Sequence, residues 1–202
     1  MTQILLVDSG ASNDEALASA AAILRRGGLV AFPTESFYGL GAAALDPQAV
    51  ERVFTIKGRP DSKPLLVVVD SVVMAERLAA DVPPGARDLM ARHWPGPLTL
   101  VLKAAADVPS RLTAGTGTLG VRMPAHPIAL GLVRAARQPV TAPSANPSGA
   151  DPPMTALQVK RYFDGAVDMI LDGGATAGGA ASTVADCTEW PPRVLRQGPV
   201  TV

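Results

Sequence analysis

Residues 27–41 read GGLVAFPTESFYGLG. Gly27 and Gly28 stop an Ala-rich helix that is capped at Asn13, Asp14 and Glu15 and ends at Arg25 and Arg26. Residues 29–32 then form a short apolar run, read as a buried strand. A segment of hydroxyls, one carboxylate, an aromatic ring and glycines follows at once. Open α/β sheets place ligands at the carboxyl ends of their strands. The stretch therefore predicts an α/β fold and puts residues 33–41 at a candidate site, although an ordinary strand-to-helix loop has the same composition.

Outward from this stretch the same alternation continues. Residues 4–7, 65–69, 98–103, 119–123, 169–171 and 182–187 read as strands, with a short one around Val140. Asp46 followed by Pro47 opens a helix through about Ile56. Ser71 caps the next helix, and a second ends near His93. Residues 126–136 and 155–163 read as helices. Residues 172–181 form a glycine-rich loop. No repeat, low-complexity tract or linker interrupts the 202 residues, which suit one domain over 1–202.

Composition narrows the class. The chain is 48% hydrophobic and 18% charged, so it folds into a globule. Its formal net charge is zero, so any nucleic-acid contact needs a local basic patch. Cys187 is the one cysteine, which excludes an intrachain disulfide and points to a reducing, cytoplasmic setting. It reads as a half-buried strand residue. Two histidines and one cysteine make a structural zinc site untenable. The opening MTQILLVDSG lacks the basic and long apolar regions of a signal peptide, and no apolar run reaches the ~18 residues of a membrane span.

Two further segments carry chemistry. Residues 57–64, KGRPDSKP, place Lys57, Arg59 and Lys63 within seven positions, in a chain with four lysines. Arg offers a bidentate fork to phosphate and Lys a compact charge. Residues 141–149, TAPSANPSG, follow a strand and offer Ser144 and Asn146 to phosphate or sugar oxygens. Taken singly, each also fits a solvated or turn-forming loop. GTGTLG at 115–120 matches a dinucleotide-binding pattern in letters only. That pattern must follow a strand and open a helix, whereas here it leads into a strand and Arg122. No P-loop occurs. His93 at a helix end and His126 at a helix start read as packing or capping residues, so no Ser-His-Asp or Cys-His constellation assembles.

These segments together resemble the YrdC family of threonylcarbamoyl-AMP synthases. The resemblance rests on PTESFYGLG at 33–41, KGRP at 57–60 with KPL at 63–65, HWPGPLT at 93–99, GVRMPAHP at 120–127, SANPSG at 144–149, STVADC at 182–187 and LRQGPV at 195–200. It spans about residues 15 to 200. It implies a twisted, open mixed sheet with flanking helices and a concave electropositive cavity. It also implies a reaction: L-threonine, bicarbonate or CO₂, and ATP give threonylcarbamoyl-adenylate and pyrophosphate, and other proteins use the product to modify tRNA. The resemblance assigns Lys57, Arg59, Thr118, Ser144, Asn146 and Arg196 to ATP, with Lys57 and Arg59 neutralising phosphates. It assigns Thr34, Tyr38, Arg122 and Ser182 to threonine, with Arg122 on the carboxylate. Mg²⁺ is expected on the triphosphate, held by substrate oxygens and water. Ser36 and Phe37 depart from the commoner Thr-Val. A histidine that longer members carry after the Lys-Pro-Leu step is replaced by the apolar run at 66–69. The likeness is to the short form without an additional C-terminal domain. Two other readings use the same residues: an RNA-binding module, with weak RNA contact through the basic cavity, and a carbamoyl-adenylate-forming enzyme. Few aromatic residues argue against an extended RNA surface.

Overall fold

The computed structural model describes residues 1–8 and 13–202. Among them the chain runs β1 (Gln3–Leu6), α1 (Asp14–Arg25), β2 (Val30–Pro33), β3 (Tyr38–Gly41), α2 (Pro47–Lys57), β4 (Leu66–Val68), α3 (Val72–Leu78) and α4 (Pro84–His93). It continues through β5 (Leu98–Lys103), β6 (Thr118–Arg122), α5 (Pro127–Ala136), β7 (Val140–Thr141), α6 (Ala156–Phe163), β8 (Met169–Asp172), β9 (Thr183–Asp186) and β10 (Arg193–Arg196).

Local chemistry sets most boundaries. The Asp46 carboxylate accepts from the Gln48 and Ala49 amides, Pro47 occupies the first turn, and Gly58 ends α2 in the left-handed region at φ 54°. Thr155 and Gln158 close a reciprocal capping box on α6. Ser71 Oγ accepts from the Met74 amide at the start of α3. Asn13 departs from expectation. It precedes α1 without a side-chain cap bond, and its amide instead exchanges hydrogen bonds with the Asp8 backbone.

The fold is mixed α/β, as expected, but two sheets replace the single one. β1-β8-β2-β3 form a four-stranded sheet and β10-β9-β5-β6-β4-β7 a six-stranded one. Each mixes parallel and antiparallel pairs. The sheets meet edge to edge where β3 runs beside residues 140–145. The Thr141 amide donates to Ala42 O, Leu40 to Pro143 O and Ala145 to Tyr38 O. Pro143 has no N–H to give, so the ladder breaks there instead of continuing as one sheet.

Within 33–41, read as a candidate site segment with an ordinary loop as the alternative, residues 38–41 form the strand β3. Thr34 N and Oγ1 both donate to Phe37 O, closing a tight turn, and Tyr38–Gly41 pairs back on β2. Two glycines disguise the strand, since glycine is depleted in strands. Gly41 is required here: a Cβ on it would stand 2.9 Å from Phe32 and from Val140. β10, likewise not anticipated, is exposed along its length.

All four residues of β2 are buried. Val30 and Phe32 face a core shared with α1 and α5, while Ala31 faces the larger core that holds α2 and the back of the six-stranded sheet. Among the described residues, no helix is long and apolar enough to cross a membrane.

Candidate active site

One face of the six-stranded sheet is buried in the core through Val67, Leu98, Leu100, Leu119, Val121 and Ala185. Strand alternation sends the intervening residues to the other face. Leu66 and Val68, Thr99 and Val101, Thr118, Gly120 and Arg122, and Val184 form the floor of a cavity of about 570 Å³. The register lays Gly120 between Leu66 and Val101. Residues 34, 36–39, 59, 64–65 and 142–144 make the walls, with Ala181, Ser182, Leu195 and Arg196 opposite. Arg59, Arg122 and Arg196 are the charged residues of the lining, which holds no carboxylate.

Eight of the ten expected site residues line this cavity: Thr34, Tyr38, Arg59, Thr118, Arg122, Ser144, Ser182 and Arg196. Each arginine is fixed by backbone carbonyls. Arg59 donates to Lys63 O (3.0 Å) and Pro64 O (2.6 Å), so the loop after α2 folds around its own guanidinium. Arg122 Nε donates to Gly96 O at 2.9 Å, and Nη2 pairs with Glu35. Arg196 donates from Nε and Nη2 to Ser182 O at 3.0 and 2.8 Å. Burial lowers the proton affinity of Arg59, and that of Arg196 together with the nearby Arg122 charge.

Lys57 and Asn146 stand behind the wall. Lys57 is 3% exposed, and its ammonium donates to Ser144 O (2.5 Å) and Asn146 O (2.6 Å). Its own carbonyl accepts from the Ser148 amide at 2.7 Å. Asn146 Nδ2 donates to Pro147 O and Ala150 O. Both residues therefore shape the turn that presents Ser144. Burial, and then the charge of Arg59, pushes the Lys57 ammonium down to about 8.

The hydroxyls are interlinked. Ser182 Oγ lies 2.9 Å from Thr99 Oγ1 and accepts from Arg196 Nη2 at 3.1 Å. Thr118 Oγ1 lies 3.0 Å from Thr116 Oγ1. Tyr38 belongs to the lining but is fully buried, and its hydroxyl donates to Gly174 O at 2.7 Å. Burial, then the Asp172 carboxylate, raises that phenol far above its ordinary range. The glycine-rich segment is further tied by the Gly178 amide to Ser36 O and by the Thr176 amide to Met154 O.

Other expectations resolve around the cavity. His126 sits at the N-cap of α5 but makes no side-chain cap bond, so the capping role falls away. Burial lowers its proton affinity against an opposing pull from Glu35. Cys187 is fully buried, one residue beyond β9, and burial with the Asp186 charge pushes its thiol up to about 11. Such a thiol is no nucleophile near neutral pH. Thr99 and the apolar floor went unassigned in the sequence, although i, i+2 spacing along each strand carries the signal. Among the described residues, no group of three or more His, Cys, Asp or Glu is placed to hold a metal.

The family profile Sua5/YciO/YrdC, described as "Telomere recombination", matches residues 22–198. The chain belongs to this family. A relative from Pyrococcus abyssi (strain GE5 / Orsay) named threonylcarbamoyl-AMP synthase is 51% identical over 89% of this chain and 53% of its own length. A Bacillus subtilis (strain 168) protein of the same name is 45% identical over 97% of this chain and 57% of its own. The chain thus spans about half the length of these Sua5/YciO/YrdC relatives. A crystal structure of P. abyssi Sua5 complexed with L-threonine superposes with a TM-score of 0.92 at 46% identity, over 98% of this chain and 57% of the other.

Proposed function

We propose that this protein is a nucleotidyltransferase that forms threonylcarbamoyl-adenylate and pyrophosphate from L-threonine, bicarbonate or CO₂, and ATP. The observation that carries the proposal is the cavity: three arginines, Arg122 on the floor and Arg59 and Arg196 on the walls, in a lining without carboxylates. Relatives named threonylcarbamoyl-AMP synthase and the threonine complex of P. abyssi Sua5 support it.

The reaction asks little covalent work of the protein. The threonine amine attacks CO₂ and loses a proton to give the carbamate. A carbamate oxygen then attacks the α-phosphorus of ATP, and the bond to the bridging oxygen breaks to release pyrophosphate. The substrates supply both nucleophiles, so the protein contributes alignment and charge. Arg59, with Lys57 behind it, neutralises phosphate charge. Ser144, Asn146, Thr118 and Arg196 serve the nucleotide, and Thr34, Tyr38, Arg122 and Ser182 the amino acid. The arginines make the wall electropositive. Mg²⁺ carried by the triphosphate would screen its charge, held by substrate oxygens and water with no ligand from this chain required. Residues 1–202 act as one domain, in the cytoplasm, and pass the product to tRNA-modifying proteins.

The test is pyrophosphate release by the pure protein with ATP, L-threonine and bicarbonate. Release that requires threonine and bicarbonate supports the synthase. Release independent of threonine overturns it.

A further inference from the structure

Glu35 does not line the cavity, yet both its oxygens are committed. Oε1 accepts from the Ala125 amide at 2.6 Å, and Oε2 pairs with Arg122 Nη2. The carboxylate therefore joins the turn after β2 to the segment after β6, 90 residues on. Arg122 is 5% exposed. Gly96 O holds its Nε and Glu35 its Nη2, which leaves the Nη1 edge as the part free to meet a ligand.

Arg122 stands close enough to Arg196 for their charges to repel, with Arg196 losing proton affinity to burial first and to Arg122 second. Glu35 is the carboxylate paired with Arg122. Burial alone would raise its proton affinity, but the Arg122 charge and the N–H donors outweigh burial and hold the carboxyl below its ordinary range. A buried guanidinium without its counter-charge swings away or disorders, because an unpaired buried charge is costly.

We propose that Glu35 is a positioning residue for amino-acid recognition, holding Arg122 with one edge directed into the cavity so that a substrate carboxylate docks in a single orientation. This rests on the reading of Arg122 as the carboxylate partner of L-threonine. Glu35 acts on the ligand through Arg122 and touches no reacting atom. Its loss weakens ligands that carry a carboxylate and leaves others in place.

Calorimetric titration of wild type and Glu35→Gln with L-threonine, L-threoninamide and ATP tests this directly. Threoninamide keeps the amine and side chain but lacks the carboxylate. Glu35→Gln is expected to lose about tenfold to a hundredfold in threonine affinity while threoninamide and ATP stay within about twofold. An unchanged preference for threonine over threoninamide overturns the proposal, and so does an equal loss for all three ligands, which marks general loosening. If circular dichroism shows Glu35→Gln unfolded, Glu35→Asp carries the same comparison, with an intermediate loss confined to threonine expected. Wild type that binds threonine without releasing pyrophosphate sinks the synthase reading but not this one. Wild type that binds no threonine sinks both.

Discussion

Lys57 places a positive charge between two carbonyl oxygens, and two opposite pH effects follow. Its ammonium titrates near 8 in the fold against an ordinary value near 10.5. Below pH 8 both folded and unfolded chains hold the proton, and burying the charge costs stability. Between about 8 and 10.5 the unfolded chain binds more protons, so this residue's contribution to stability rises with pH. The charge available to phosphates falls over the same window. ATP affinity, read by calorimetry, is expected to weaken as the pH passes 8 while chemical denaturation shows no matching loss. Lys57→Met removes the pH dependence of both and leaves the buried Asn146 carbonyl unpaired, at about 1–3 kcal/mol, while Ser144 O keeps the Asn146 amide. Arg59→Ala differs because its guanidinium lines the cavity. Pyrophosphate formation should fall about a hundredfold or more in a protein that still folds, with a melting temperature lowered by loss of the bonds to Lys63 O and Pro64 O.

At the scale of elements, α2 is a helix fixed at both ends by its own residues. Asp46 caps the start and Gly58 closes the finish, which delivers Lys57 and Arg59 to the site. Asp46 lies at the far end of the helix from them. Asp46→Ala should cost about 1 kcal/mol and lower the melting temperature by roughly 2–4 °C. The KM values for ATP and threonine should stay the same. A changed KM would show that the helix transmits its N-terminus to the site. β9 and the closing segment behave differently, because their bonds are distant in sequence. Thr183 Oγ1 donates to Val200 O and accepts from the Gly198 and Val200 amides. A Cβ on Gly198 would lie 2.4 Å from Ala181 O and Thr183 N. Gly198→Ala is therefore expected to push Arg196 off Ser182 and raise KM for both substrates in a folded protein. Unchanged kinetics would separate this segment from the site.

For the whole molecule, the decisive feature is the seam between the two sheets. Gly41 has Phe32 and Val140 against it, one on each sheet. Gly41→Ala must part them, at about 1–3 kcal/mol. The seam carries the 33–41 wall over the six-stranded floor. The variant should thus also weaken substrate binding, a joint loss that equilibrium unfolding and titration together can detect.

Most elements were legible because their signals are local: Asp46-Pro47 for α2, Gly27-Gly28 after α1, the apolar run of β5. The strands that escaped, β3 and β10, lack local signals. One is masked by glycines that only Phe32 and Val140 explain, and the other is an exposed edge. The sequence by itself determined the chemical inventory of the site and the order in which its segments appear, since motif spacing and turn chemistry are properties of neighbouring residues. Only the tertiary structure decided which side of the wall each residue takes. Lys57 and Asn146 fall behind it, Thr99 falls on the floor, and Glu35 backs Arg122. Strand alternation gives every residue one of two faces, but which face meets the cavity depends on pairing between segments far apart in the chain.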